Sequence, residues 1–360
     1  MEILGEKALK LKIAQVAPLY ESVPPQFYGG TERVVSYLTE ALVDLGHEVT
    51  LYASGDSSTK ANLRPICKRA LRLDKTSVDP HADHVFMAER IFREAGEFDI
   101  VHSHIDYSFF PLLRRMQTAH LTTLHGRLDI PNLRDLYREF ADMPVASISH
   151  RQRAPLPWAD WQTTVYHGVP EKMFKPVATA GKYLAFLGRI SPEKRVDEAI
   201  QAANRVGMPL KIAAKVDKVD VEYYQAVVKP LLNRNVEFVG EIRDSDKNEF
   251  LGNAAALLFM IDWPEPFGLA MIEALACGTP VIARNRGSVP EIIEQGVTGY
   301  IVKNVDEAVE AIPEISRLNR KRCREAFEQR FTATRMANDY INVYEKLILA
   351  QIAPKIAAAL

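Results

Sequence analysis

Short apolar runs of strand length alternate with stretches of helical spacing along almost the whole chain. In the first half the strand-like runs are Lys12–Ala17, Glu48–Ala53, Asp99–Ser103, Leu121–Leu124, Val145–Ser149 and Thr163–Tyr166. Between the first two, Val34, Val35, Leu38, Leu42 and Leu45 keep the spacing of one helix face, which predicts a helix over Thr31–Leu45 ended by Gly46. A second series follows: Tyr183–Gly188, Leu210–Ala214, Val236–Val239, Ala256–Ile261, Pro280–Ala283 and Gly299–Val302. Such alternation implies parallel sheets covered by helices on both faces. Two series joined near Lys172–Lys182 predict an α/β protein of two Rossmann-like domains facing each other, with a helical tail from about Arg317.

Composition narrows this picture. At 360 residues the chain suits two domains of middling size. Lys plus Arg (45) nearly balances Asp plus Glu (46), which gives no electrostatic case for nucleic acid. Basic runs at Lys68-Arg69 and around Arg317–Arg324 read as solvated helix faces, so membrane contact is at most peripheral. Three widely spaced cysteines, Cys67, Cys277 and Cys323, read as free thiols in a reducing compartment. With no signal-like apolar stretch at the N-terminus, and Ala254–Ile261 too short to span a bilayer, a cytoplasmic location is expected.

In open parallel sheets ligands bind beyond the carboxyl ends of the strands, and the unusual residues lie in those loops. The most informative is Glu265-Pro266-Phe267-Gly268-Leu269-Ala270-Met271-Ile272-Glu273, ended by Gly278-Thr279-Pro280. Pro264 and Pro266 fix the approach to a glycine turn, so Phe267, Gly268 and Leu269 should offer backbone N–H groups at a helix start, a ready anion site. Eight residues of helical rise between the two glutamates span about 12 Å, roughly the reach from a sugar across a diphosphate to a ribose.

After the first strand, Gly29-Gly30 precede a helix, and paired glycines let a backbone approach a phosphate or sugar. No G-x-G-x-x-G follows any strand, which argues against a nicotinamide or flavin enzyme. In Gly188-Arg189-Ile190-Ser191-Pro192-Glu193-Lys194, Ser191 is a plausible N-cap and Pro192 the first helical residue. Lys194 then opposes the helix dipole unless an anion binds there, and with Arg189 it could hold a diphosphate. His125-Gly126 ends another strand where a histidine can reach a ligand in the interdomain cleft. His102 and His104 lack a third partner at metal spacing, and Asp244-Ser245-Asp246 reads as the cap of a helix running to Ala255, so no metal site is expected. Lys215 is either a third cation near such an anion or a solvated lysine.

These motifs together resemble retaining glycosyltransferases of family 4, which have the two-domain GT-B fold. The carriers are Tyr28-Gly29-Gly30-Thr31-Glu32, Thr123-Leu124-His125-Gly126, Gly188-Arg189 with Lys194, and the Glu265–Glu273 string, and the likeness runs from Lys12 to about Tyr344. It implies a first, acceptor-side domain over 1–172, a donor domain over 173–335, a deep cleft between them, and a terminal helix over 336–360 packed back on the first domain. It implies transfer of a hexose-type sugar from a nucleoside-diphosphate donor to an acceptor hydroxyl, with retained configuration. Glu273 should bridge the donor ribose, while Glu265 and the backbone of Phe267, Gly268 and Leu269 should meet the sugar and diphosphate. Arg189 and Lys194 should neutralise the leaving diphosphate in place of a metal, Gly29 and Gly30 should approach it from the other domain, and His125 should contact the sugar. The acceptor should lie near Phe27, Tyr28, Glu32 and His104. His167 and Pro170 depart from the family's usual Asn-Gly-Val-Asp, where this chain has His167-Gly168-Val169-Pro170. A sugar-nucleotide epimerase or hydrolase, and a non-catalytic nucleotide-sugar-binding protein, are the alternatives. Donor base, acceptor and oligomeric state are not legible.

Overall fold

The computed structural model of the chain describes residues 10–26, 29–179 and 181–357. The first sheet contains β1 (Lys12–Val16), β2 (Glu48–Ala53), β3 (Asn62–Pro65), β4 (Ile100–Ser103), β5 (Ala119–Thr123), β6 (Val145–Ser147) and β7 (Trp161–Thr164). All are parallel, in the order β3-β2-β1-β4-β5-β6-β7. The second holds β8 (Leu184–Ile190), β9 (Leu210–Val216), β10 (Val236–Gly240), β11 (Ala256–Phe259), β12 (Val281–Arg284) and β13 (Gly299–Val302), also parallel, in the order β10-β9-β8-β11-β12-β13. Each sheet reverses its winding beside its own first strand, between β1 and β4 and between β8 and β11. A crevice opens at each such point beyond the strand ends.

Twelve of these thirteen strands fall on apolar runs visible in the sequence. The exception, Asn62-Leu63-Arg64-Pro65, is a short, half-exposed edge strand on β2. An edge strand ending in proline buries no continuous apolar face, so no periodic signal marks it. The helix Gly30–Asp44 buries Val34, Val35, Leu38 and Leu42 against the first sheet, as their spacing requires. Two helix starts differ from expectation. Pro192–Lys194 is a 3₁₀ turn, and the α-helix begins only at Val196, after Arg195 with φ 50°. Lys194 therefore stands before the helix rather than in its first turn. Asp244 is the first residue of helix Asp244–Gly252 and not its cap, because its carboxylate is held by Arg33 and Lys247.

The chain passes between the sheets twice. Where the outgoing segment meets the returning one, Val169 N–H donates to Phe331 O at 2.9 Å and Ala333 N–H donates to Val169 O at 3.0 Å. A Cβ on Gly168 would collide with the Thr332 carbonyl, so only glycine allows this crossing. The last helix, Ala333–Ala357, then lies against helix Gly30–Asp44 and β5 of the first sheet. No helix among the described residues is long and apolar enough to cross a membrane. Cys277 and Cys323 are buried free thiols.

Arg320 locks the returning segment to the second domain. Its buried guanidinium donates to Val177 O (2.7 Å), Ala254 O (2.9 Å), Gly252 O (2.7 Å) and Thr279 Oγ1 (2.7 Å). Arg320→Ala leaves four acceptors without that donor and should cost about 3–5 kcal/mol, read as a lowered urea midpoint with an unchanged m-value.

Candidate active site

The crevices of the two sheets face each other and form one cavity of about 440 Å³. Its lining includes Gly29 and Gly30 after β1 and His125 after β5, and Arg189 at the end of β8 with Lys194 beyond it. Glu265 to Leu269 follow β11, and Glu273 stands one helix turn further. Thus residues from distant parts of the sequence meet because parallel strands deliver their carboxyl ends to one edge.

Glu265 is held from two sides. Its Oε2 accepts from Lys194 Nζ and from Trp263 Nε1, each at 2.7 Å. The Lys194 ammonium also lies 5.1 Å from the centre of the Trp263 ring, a cation–π contact. The anion that the misplaced Lys194 demands is thus supplied from within the chain. The loop Arg286–Ser288 sets the height of Glu265: Ser288 N–H donates to Glu265 O at 3.0 Å and Ser288 Oγ to Phe267 O at 2.6 Å. Gly287 packs so tightly on the Glu265 backbone that any Cβ would collide with it. Gly268 takes φ 91° and caps helix Leu269–Ala276, whose first N–H groups have no intrahelical acceptor.

Glu273 is only 2% exposed, and a carboxylate so buried needs a counter-charge. Lys247 provides it at 2.7 Å, and burial lowers the pKa of that lysine. Lys247 Nζ is also 3.1 Å from Asp244 Oδ1, and Asp244 is in turn paired with Arg33 of the first domain. A charge relay therefore crosses the cleft from Arg33 to Glu273. Arg189 stands among Glu193 (2.7 Å), Asp220 (3.6 Å) and Asp217 (3.7 Å), and Lys215 lies 3.0 Å from Asp217. Lys215 lines the cavity, which favours the first of its two readings.

On the first-domain side four histidines gather. His125 stacks on His167 at 5.3 Å between ring centres, and His167 meets the edge of Phe267 at 4.8 Å. Burial pushes the His125 pKa down to about 3, and burial with neighbouring charge puts His102, His104 and His167 well below the usual 6.5. All four are neutral at pH 7. The turn carrying His125 is held by Asp106 in the left-handed region at φ 48°, whose carboxylate accepts from His125 N–H at 3.1 Å. Burial raises the Asp106 pKa to about 6.

Comparison with known proteins agrees with this arrangement. The model of Glycosyltransferase Family 4 matches residues 28–167, and that of Glycosyl transferases group 1 matches residues 170–330. The chain belongs to glycosyltransferase family 4. This glycosyltransferase is 27% identical to N-acetyl-alpha-D-glucosaminyl L-malate synthase of Bacillus anthracis, over 93% of its own length and 97% of that protein's. AviGT4, a glycosyltransferase involved in avilamycin A biosynthesis, superposes with a TM-score of 0.72 at 26% identity, covering 94% and 98% of the two chains. Sucrose-phosphate synthase of Thermosynechococcus elongatus shares the GT-B fold, with a TM-score of 0.79 at 19% identity over 95% and 100%. HepE of Anabaena, solved with UDP-glucose, shares it too, at 0.69 and 17% over 94% and 99%.

In this glycosyltransferase the cavity gathers every residue expected to bind the donor or act on it: His125, Arg189, Lys194, Glu265, Gly29, Gly30, Phe267, Gly268, Leu269 and Glu273. The acceptor-side expectations fare differently. His104 and Glu32 do not line the cavity; both are buried, His104 behind His125 and Glu32 beneath Gly29. Burial holds the Glu32 pKa above the ordinary carboxylate value. Phe27 and Tyr28 lie outside the described residues. Lys247, Arg33, Asp106 and Gly287 carry no spacing signal, since each acts through a partner remote in sequence, and Trp263 was missed although it acts on Glu265 only two residues on. No group of three or more His, Cys, Asp or Glu that could hold a metal occurs among the described residues.

The neutral histidines fix a pH dependence. A histidine with a depressed folded pKa binds its proton only when unfolded, so its stabilising effect is present above pH 6.5 and is lost on acidification. Each adds a slope of up to about 1.4 kcal/mol per pH unit, and Asp106, which keeps a proton up to about 6, opposes part of it. The denaturation midpoint should fall steadily from pH 7 to pH 5. A midpoint unchanged over that range would show that the histidines titrate normally.

Proposed function

We propose that this glycosyltransferase moves a hexose-type sugar from a nucleoside-diphosphate donor to an acceptor hydroxyl with retained anomeric configuration. The observation that carries this reading is the pairing of Lys194 with Glu265 inside the cleft, at one end of the helix that buries Glu273. Glu273 offers its carboxylate to the ribose hydroxyls, and the helix start at Phe267–Leu269 faces the diphosphate with N–H groups and a positive dipole end. Arg189 and Lys194 stabilise the negative charge that grows on the departing diphosphate, the task a divalent metal would otherwise perform. HepE, of the same fold, was solved with UDP-glucose, which makes uracil the first base to try.

Retention is consistent with departure and attack on one face of the sugar. Glu265 is already bound by Lys194 and Trp263 through one oxygen, which suits it to positioning and charge balance rather than to covalent attack. The acceptor enters from the first-domain side, where His125 and Arg127 line the opening. The location consistent with a free nucleotide-sugar supply is the cytoplasm.

A thermal-shift screen against UDP-, GDP-, ADP- and dTDP-sugars with EDTA present should show selective stabilisation by one donor. No shift at millimolar donor would count against a nucleotide-sugar substrate. With that donor, Glu265→Ala should lower kcat by about 100-fold or more while the fold persists. Glu273→Ala should instead weaken donor binding by about 10-fold or more, as a buried partner of the ribose is lost. Product analysis by NMR should give one anomer with the donor's configuration, and sugar released without an acceptor would identify a hydrolase.

A further inference from the structure

The last helix closes a buried polar chain that ends on His125. Tyr344 of that helix accepts a hydrogen bond from the amide nitrogen of Gln15 on β1 at 3.1 Å. Its oxygen also lies 2.7 Å from His102 Nδ1, while His102 Nε2 lies 2.7 Å from Thr123 Oγ1 and Thr123 Oγ1 lies 2.9 Å from Tyr340 Oη. On the other side, Gln15 Oε1 is 2.8 Å from His104 Nε2, and His104 Nδ1 is 2.9 Å from His125 Nε2. Gln15, His102, His104, Thr123 and Tyr344 are all within 2% of full burial, so water cannot substitute for a missing partner.

Proton positions along this chain follow from its first link. With its nitrogen given to Tyr344, the Gln15 amide presents only its oxygen to His104, and a carbonyl oxygen only accepts. His104 Nε2 therefore carries the ring proton. A neutral imidazole has one N–H, so His104 Nδ1 accepts, and His125 Nε2 must donate to it. His125 then has a bare Nδ1. That atom is buried and has no hydrogen-bond partner among the described residues, although His125 itself belongs to the cavity lining. The other direction balances too: Tyr344 gives its proton to His102 Nδ1, His102 Nε2 donates to Thr123, and Thr123 donates to Tyr340.

We propose that His104 and Gln15, anchored by Tyr344, are positioning residues that lock His125 with its proton on Nε2 and keep its Nδ1 as an acceptor for a hydroxyl of the transferred sugar. The sugar contact rests on the function proposed above; the tautomer does not. His104, expected at the acceptor surface, thus acts from behind the site. The unusual His167 supports the same end by stacking on His125 and holding the ring plane. Rotation of the Gln15 amide would reverse every link and turn His125 into a donor toward the sugar, so the orientation of that amide, with its nitrogen on Tyr344 Oη, sets the polarity of the His125 ring.

The direct test is a long-range ¹H–¹⁵N correlation spectrum of the full chain labelled on histidine, with His125→Asn to assign its signals. A pyridine-type Nδ1 and a pyrrole-type Nε2 are expected for His125 at pH 7. The reverse pattern overturns the proposal whatever the enzyme's substrate. Tyr344→Phe keeps the ring and removes the anchor. With the donor found in the screen, it should lower kcat about 5- to 10-fold with donor KM within about twofold, and make both His125 tautomers visible. Unchanged kcat and an unchanged tautomer in a folded variant would overturn the anchoring role. If the wild-type chain turns over no nucleotide-sugar, the functional reading fails while the spectrum still decides the tautomer.

Discussion

A carboxylate withdrawn from water must have a partner, and this constraint organises the cleft. Glu265 stands just before one short helix and Glu273 within it, and each is matched by a lysine at 2.7 Å. Neither lysine comes from that helix: Lys247 stands on the helix before β11, and Lys194 follows β8. An unpaired buried charge costs several kcal/mol, so closing these separate loops on the glutamates stabilises the second domain. On the function proposed above, Lys194 of one such pair stands where the departing diphosphate would develop charge. Stability of the empty site and readiness for an anionic ligand therefore have one cause.

The two domains are joined by more than a linker. The crossing at Gly168 and Thr332 returns the chain to the first sheet, and Arg320 fixes the point from which it returns. The helix that results places Tyr344 against Gln15 and His102, residues more than 240 positions away. A terminal segment that could have been a mere strap thereby becomes part of the support for His125. Across the mouth, the relay from Arg33 through Asp244 and Lys247 to Glu273 ties the first domain to the Glu273 side of the site. Both connections are polar; the first is buried, so no solvent can replace a lost member, while the second is buried at Arg33, Lys247 and Glu273 and partly open at Asp244.

Much of this was legible from residues alone. Parallel strands buried on both faces must be continuous apolar runs, which is why β1, β9 and β12 are plain in the sequence and the polar edge strand Asn62–Pro65 is not. The helix signals were weaker where chemistry intervened: Asp244 has the composition of a cap but is recruited by Arg33, and Lys194 sits in a 3₁₀ turn that Arg195 breaks. His102 and His104 read as a metal-like pair at a strand end without a third ligand, with His104 also expected near the acceptor. Only the packing of the last helix over that strand shows that they are interior.

The sequence by itself determined the class of fold, the loops that carry the site and the local chemistry of the Glu265–Glu273 segment. These depend on patterns within about ten residues, where backbone geometry leaves few choices. Tertiary structure decided the partners: which lysine meets which glutamate, that Trp263 and Gly287 hold Glu265, and that Tyr344 reaches Gln15. Such pairings carry no periodicity. They arise where parallel strands bring their ends to one edge, and distance along the chain says nothing about distance across it.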